Sequence, residues 1–351
     1  MDKIRFAVIG SGWRSLFYLR IARALPDIFE VVCVKVRNEE KKRFIQDNYG
    51  FDVVMSDEEV FALRPDFCVI AVFKSELSEV SRFYLEHGMA VLCETPLALD
   101  RGKLESFGKF LSEGEYAFMT AEQYYLYPRY SALIKVLDSG IIGRRNFLRM
   151  GICHEYHGFS LARRILGSEG YFRPVFAKRQ EYEIRQTYSR YEHFTDLSMK
   201  KNHREVVYYE TDDGRVMLED FTPECYRSPI RPVSFNVEGE KGSCRDFVFY
   251  FLDDENETHT LPLEVESRIV HREDVNPVQQ DIEVIDRIRF NGSTVFSSRF
   301  PGAVLSEDEY AIASVMLDMK NCVDGKKASY PFSLSYLDAD NTLLLYKALG
   351  I

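Results

Sequence analysis

The chain has 351 residues, enough at roughly 150 per domain for about two domains, and 46% of them are hydrophobic, which supplies sizeable cores. Its 45 basic and 55 acidic side chains leave a net charge of −10 with no basic block, which argues against nucleic acid as the main partner. No stretch nears the roughly 18 consecutive apolar residues of a membrane span, and Met1-Asp2-Lys3-Ile4-Arg5 runs straight into a strand pattern rather than a cleavable leader.

Ile4–Ile9 is almost wholly apolar, as a strand buried on both faces of a parallel sheet must be. A helix is predicted over 13–25 and a second strand over 29–34. Asn38 is a helix cap, followed by Glu39 and Glu40 in the first turn. A third strand covers 51–55, a short helix 57–63, a fourth strand 67–72, and a helix 76–87 stopped by Gly88. Residues 89–93 make a fifth strand, 101–113 a helix, and 116–120 a sixth strand. Strictly alternating strands and helices imply a doubly wound parallel sheet, a Rossmann domain over residues 1–122.

The pattern then changes. Helices are expected over 129–139 and 157–166, with a strand at 146–152 between them. From 171 to 300 the chain is mostly strand-like, and Asp212-Asp213-Gly214 joins two runs as a hairpin turn. Amphipathic helices follow over 306–323 and 334–348. Residues 123–351 therefore read as an α+β domain on a mainly antiparallel open sheet that receives the last helices. The seven cysteines are odd in number and contain no CxxC pair, and Cys33, Cys68 and Cys93 sit in apolar runs. That is a reducing-compartment pattern, so a cytoplasmic protein is expected.

Gly10-Ser11-Gly12-Trp13-Arg14-Ser15 follows the first strand and opens the first helix, the position of a dinucleotide-binding turn. Gly10 allows the tight turn, and Gly12 lets the backbone approach a pyrophosphate at the helix N-terminus. Ser15 replaces the third glycine of the usual pattern. At the end of the second strand the chain reads Lys35-Val36-Arg37-Asn38, without the acid that would bind the ribose hydroxyls of NAD. A guanidinium at Arg37 suits a 2′-phosphate, so NAD(P) is the expected cofactor with a lean to NADP; a solvated loop residue is the alternative.

Cys93-Glu94-Thr95-Pro96-Leu97-Ala98 ends the fifth strand. With the Gly motif and the α+β second half, it resembles the glucose-fructose oxidoreductase, inositol dehydrogenase and MocA (Gfo/Idh/MocA) family over nearly the whole chain. The resemblance implies an NAD(P)-dependent oxidoreductase that transfers hydride to or from a sugar, polyol or sugar derivative. It also implies a homodimer or homotetramer. The family's Glu-Lys-Pro signature places a proton-assisting lysine where this chain has Thr95, and a hydroxyl orients a substrate but supplies no cationic proton carrier.

The family's Asp-x-x-x-His motif before a helix falls on Cys153-His154-Glu155-Tyr156-His157, which makes His157 the match to the general acid/base and puts Cys153 in place of the Asp. Trp13, Arg14, Glu94 and Gln123 complete the cofactor set implied with Gly10, Gly12 and Arg37. His154 and Tyr124 are the further substrate candidates. No fourth ligand accompanies Cys153, His154 and His157, so no metal is expected. Arg185, Tyr188, Arg190, Tyr191 and His193 form a polar aromatic stretch, either a substrate loop or a solvated or subunit contact. A family member that binds NAD(P) or a sugar without turnover, as a sensor or assembly partner, is the alternative function. Hydride chemistry used transiently on a tightly held cofactor is a third.

Overall fold

The computed structural model describes residues 2–189, 191–275 and 280–351; Arg190 of the polar aromatic stretch lies outside them. The chain divides into two compact units, Met1–Gln123 with Phe300–Asp340, and Tyr124–Arg299 with Asn341–Ile351.

In the first unit the strands β1 (Ile4–Ile9), β2 (Phe29–Lys35), β3 (Val53–Val54), β4 (Phe67–Ile70), β5 (Val91–Cys93) and β6 (Phe118–Thr120) alternate with five helices. These are α1 (Ser15–Ala24), α2 (Glu39–Tyr49), α3 (Asp57–Leu63), α4 (Leu77–Glu86) and α5 (Arg101–Ser112). The strands pair in parallel in the order β3-β2-β1-β4-β5-β6. The order reverses between β1 and β4, so the crevice at their C-terminal ends is where a doubly wound sheet binds ligands. Phe6, Ala7, Val8, Cys33, Val34, Phe67, Cys68 and Val69 are fully buried, which explains why these strands are apolar without alternation. Helix starts follow their caps: Asn38 accepts from Lys41 N (2.9 Å), Ser56 forms a capping box with Glu59, and Asp100 accepts from Lys103 N (2.8 Å).

The second unit holds α6 (Pro128–Asp138), β7 (Arg145–Gly151), α7 (Glu155–Leu166), β8 (Phe172–Ile184), β9 (Lys200–Thr211), β10 (Val216–Phe221), β11 (Ser234–Gly239), β12 (Gly242–Arg245), β13 (Val248–Leu252) and β14 (Thr258–Pro262). It continues with β15 (Glu264–His271), β16 (Asp281–Phe290) and β17 (Ser293–Ser297). Among the described residues eight strands form one sheet, β14-β13-β12-β11-β7-β10-β9-β8, in which only the β7/β10 pair is parallel. The hairpin at 212–214 joins β9 to β10 with Val216 opposite Glu210. Where one open sheet was expected, a second one is present: β15-β16-β17 pair separately, and α6 packs against β16 and β17.

Two helices close the chain, α8 (Glu307–Val323) and α9 (Phe332–Leu349). The expectation that the last helices cover the second domain's sheet is corrected for α8, which packs on α1, β4 and β6. A buried ion pair joins the two helices: Arg20 Nε of α1 lies 2.8 Å from Glu309 Oε1 of α8, both nearly sealed from solvent. An apolar face of Ile312, Ala313, Met316 and Met319 accompanies it. A single cut after residue 122 therefore does not describe the chain, because Phe300–Asp340 groups with the N-terminal residues. No helix among the described residues is long and apolar enough to cross a membrane.

Candidate functional site: a nucleotide cradle and a histidine cluster

On the first unit, the turn after β1 is built around two glycines with different jobs. Gly10 has φ +121°, and a Cβ there would stand 2.2 Å from the carbonyl oxygen of Ala71. The turn presses on the end of β4, held by Gly10 N donating to Lys35 O (3.0 Å) and Ser15 Oγ donating to Ala71 O (3.4 Å). Gly12 is the opposite case. Nothing lies within 4 Å of the position its Cβ would take. The backbone there is bare and open at the N-terminus of α1, and no acid stands in the helix's first turn. The positive end of the helix dipole thus faces a space without a carboxylate from its own first turn, which suits a phosphate.

Trp13 packs edge-on against Phe17 with ring centroids 4.7 Å apart. Arg14 turns to carboxylates, with Nε 3.0 Å from Glu94 Oε1 and Nη1 3.0 Å from Asp308 Oδ2. Glu94 also accepts from Tyr18 Oη at 2.5 Å, and burial together with that carboxylate holds the Tyr18 phenol well above its usual range. Thr95 is half-buried after β5, and the Thr95–Pro96 peptide is cis. Gln123 follows β6, is 2% exposed, and donates from Nε2 to Asp308 Oδ1 (3.3 Å). Its Oε1 is buried without a hydrogen-bond partner. A bare Gly12 cradle and an orphaned buried acceptor fit a dinucleotide that carries phosphates and a carboxamide.

Arg37 is in ion-pair contact with Glu76, on the segment after β4, and its side chain is 64% exposed. An ion pair so exposed is weak, so the guanidinium can exchange Glu76 for another anion. Two features here were not legible from the sequence motifs. Asp308 comes from α8, 185 residues beyond Gln123 and 294 beyond Arg14. Phe73, two residues past Ala71, is 74% exposed.

On the second unit, β7 leads through the buried Ile152 and Cys153 to His154, the residue capping α7 in extended conformation. Glu155 follows with φ +55°. This abrupt reversal brings three candidates into one cluster. The His154 ring stacks on Phe221 of β10 (4.3 Å, 5°). The His157 ring lies 4.6 Å from Tyr124 and 4.3 Å from Tyr156. Tyr124 stacks on Tyr127 (4.9 Å) and hydrogen-bonds Tyr226, whose phenol is raised chiefly by burial. Cys153 is fully buried. Among the described residues no group of three or more His, Cys, Asp and Glu could hold a metal ion.

The same unit holds carboxyls on tyrosines, of which only Glu155 lies within the motif. Tyr346 Oη donates to Glu155 Oε1 (2.6 Å). Glu219, 1% exposed, accepts from Tyr209 Oη (2.7 Å). Burial, followed by the charges of Glu205 and Glu155, pushes the Glu219 carboxyl from 4.5 to about 8 against the Tyr209 hydrogen bond, which lowers it. Glu205 is raised too, chiefly by burial, with Arg179 opposing. His203 is lowered by burial and by Arg179. The His157 imidazole is half-buried between Tyr124 and Tyr156, and such a ring can exchange a proton with a hydroxyl, the chemistry of a general acid/base.

Known proteins share this fold. Residues 4–120 match the Gfo/Idh/MocA family, described as an oxidoreductase family with an NAD-binding Rossmann fold. A myo-inositol dehydrogenase, Hyg17, from Streptomyces leeuwenhoekii is 25% identical over 144 residues, which span 41% of this chain and only 44% of that relative. An oxidoreductase from Agrobacterium radiobacter, solved with NAD+, L-tartaric acid and magnesium, shares the fold across 99% of this chain and 97% of its own (TM-score 0.69, 14% identity). An NAD-binding oxidoreductase from Klebsiella pneumoniae does so across 99% and 97% (TM-score 0.65, 14% identity). The family match thus spans β1 to β6, the whole parallel sheet of the nucleotide-binding half.

Proposed function

We propose that the chain is an NAD(P)-dependent oxidoreductase acting on a sugar, polyol or sugar derivative. The observation that carries the reading is the open Gly12 cradle at the N-terminus of α1. When bound, a nicotinamide supplies the hydride donor or acceptor. The chain's part is to bind and to move a proton. Gly10 shapes the turn, Gly12 admits the pyrophosphate, and Glu94 holds Arg14 and Tyr18 in place. Arg37 favours the 2′-phosphate of NADP. Thr95 orients the substrate hydroxyl, and His157 exchanges its proton, with Tyr124 and His154 shaping the carbohydrate contact. Inositol dehydrogenase activity in the relative supports a polyol-like substrate.

Binding without turnover is the second reading. Two observations favour it: Thr95 lacks a titratable cation, and Cys153, where the family carries an acid, is fully buried. A homo-oligomer is also proposed, supported by an apolar row on the eight-stranded sheet, where Phe176, Tyr208 and Leu218 stand side by side on β8, β9 and β10 next to the charged Arg149, Arg204 and Asp220.

Fluorescence titration with NADH and NADPH, followed by a panel of polyols and sugars, tests the reading. Micromolar binding with turnover of at least one polyol supports an enzyme. Binding with no turnover across the panel supports the second reading, and no binding of either dinucleotide refutes both.

A further inference from the structure

We propose that Asp308 is a positioning residue for the cofactor, orienting the Gln123 amide so that it accepts a hydrogen bond from the carboxamide NH2 of the nicotinamide. This rests on the cofactor reading above and adds a residue and a direction to it.

The argument begins with donor and acceptor inventory. The amide of Gln123 has one end that donates and one that accepts, and a carboxylate only accepts. Asp308, paired with Arg14 Nη1 at 3.0 Å, takes the Gln123 Nε2 at 3.3 Å. The amide is therefore turned one way, and Oε1 is directed elsewhere. There it is buried and meets no donor of the protein. A buried acceptor without a partner is costly, so the site is complete only with a ligand that brings a donor. A primary carboxamide does; an acetyl group of the same shape does not.

Asp308 sits in the first turn of α8, and the buried Arg20–Glu309 pair beside it anchors that turn on α1. The carboxylate is consequently held at one place relative to the cradle. Arg14 braces it from the other side while also contacting Glu94. Two residues picked out by the sequence, Arg14 and Gln123, thus meet on a third that sequence proximity could not reveal.

The test compares NAD with 3-acetylpyridine adenine dinucleotide, or the matching NADP pair if that series binds, by calorimetry on the full chain. Wild type is expected to bind the carboxamide form roughly tenfold more tightly, the effect of leaving one buried acceptor unmet. In Asp308→Asn the partner can donate as well as accept, so the amide is free to turn and the ratio should fall to about twofold or less. Asp308→Ala should show the same collapse, and melting curves report whether each variant is folded. A wild-type ratio near one overturns the assigned donor. A tenfold ratio that persists in folded Asp308→Asn or Asp308→Ala overturns the role of Asp308 and leaves the cofactor reading standing. Failure of wild type to bind any of the dinucleotides removes the cofactor reading itself, and the proposal with it.

Discussion

The sharpest quantitative consequence concerns Glu219. Its carboxyl is 1% exposed, has one oxygen on Tyr209 and the other without a partner, and shares its surroundings with Glu205 and Glu155. Folding raises it from 4.5 to about 8. Below the unfolded value both states are protonated and the carboxyl contributes its full stability. Above it the unfolded chain releases the proton while the folded one retains it, so stability falls as pH rises until the folded group itself ionises near 8. At about 1.4 kcal/mol per pH unit, the share lost between pH 5 and 9 is roughly 4 kcal/mol. Glu219→Gln keeps an acceptor for Tyr209 and removes the proton. Urea unfolding of wild type and variant across that pH range isolates the contribution, because other titrating groups largely cancel in the difference. Wild type should lose roughly 4 kcal/mol relative to the variant on going from pH 5 to pH 9. Parallel profiles for the two proteins would refute the buried, raised carboxyl.

Three further outcomes are expected. Gly10→Ala should destabilise the fold by roughly 3 kcal/mol or more, from positive-φ strain and the clash with Ala71 O, whereas Gly12→Val should melt like wild type yet bind dinucleotide at least about tenfold more weakly; paired melting and titration curves check both. His157→Gln should lower kcat by about 10²-fold to 10⁴-fold while cofactor affinity stays within about twofold, and an unchanged kcat would remove His157 from the chemistry. Arg37→Ala should change stability by less than about 0.5 kcal/mol, as befits an exposed pair, while the ratio of NADPH to NADH affinity falls; an unchanged ratio would assign Arg37 to Glu76 alone.

The nucleotide-binding half was largely legible because its signals are local. A buried parallel strand must be apolar on both faces, a tight turn needs glycine, and a cap such as Asn38 stands beside the helix it starts. The hairpin at 212–214 was legible for the same reason. The split of the second unit into an eight-stranded and a three-stranded sheet was not, because pairing partners are chosen by distant strands rather than by the strand's own pattern. The candidate site divides along the same line. Gly10 and Gly12 are marked by residue type and spacing, and Glu94 and His157 by the family resemblance.

By itself, then, the sequence determined the alternation of strand and helix, the dinucleotide turn, and the family resemblance carried by Glu94, Pro96 and His157. Only the tertiary structure decided that α8 packs on α1, that Asp308 joins Arg14 to Gln123, and that Glu219 is sealed among Glu205, Glu155 and Tyr209. The reason is physical. Turn and strand preferences act over a few residues, whereas a carboxyl's partners and its hydration depend on which remote segments close around it.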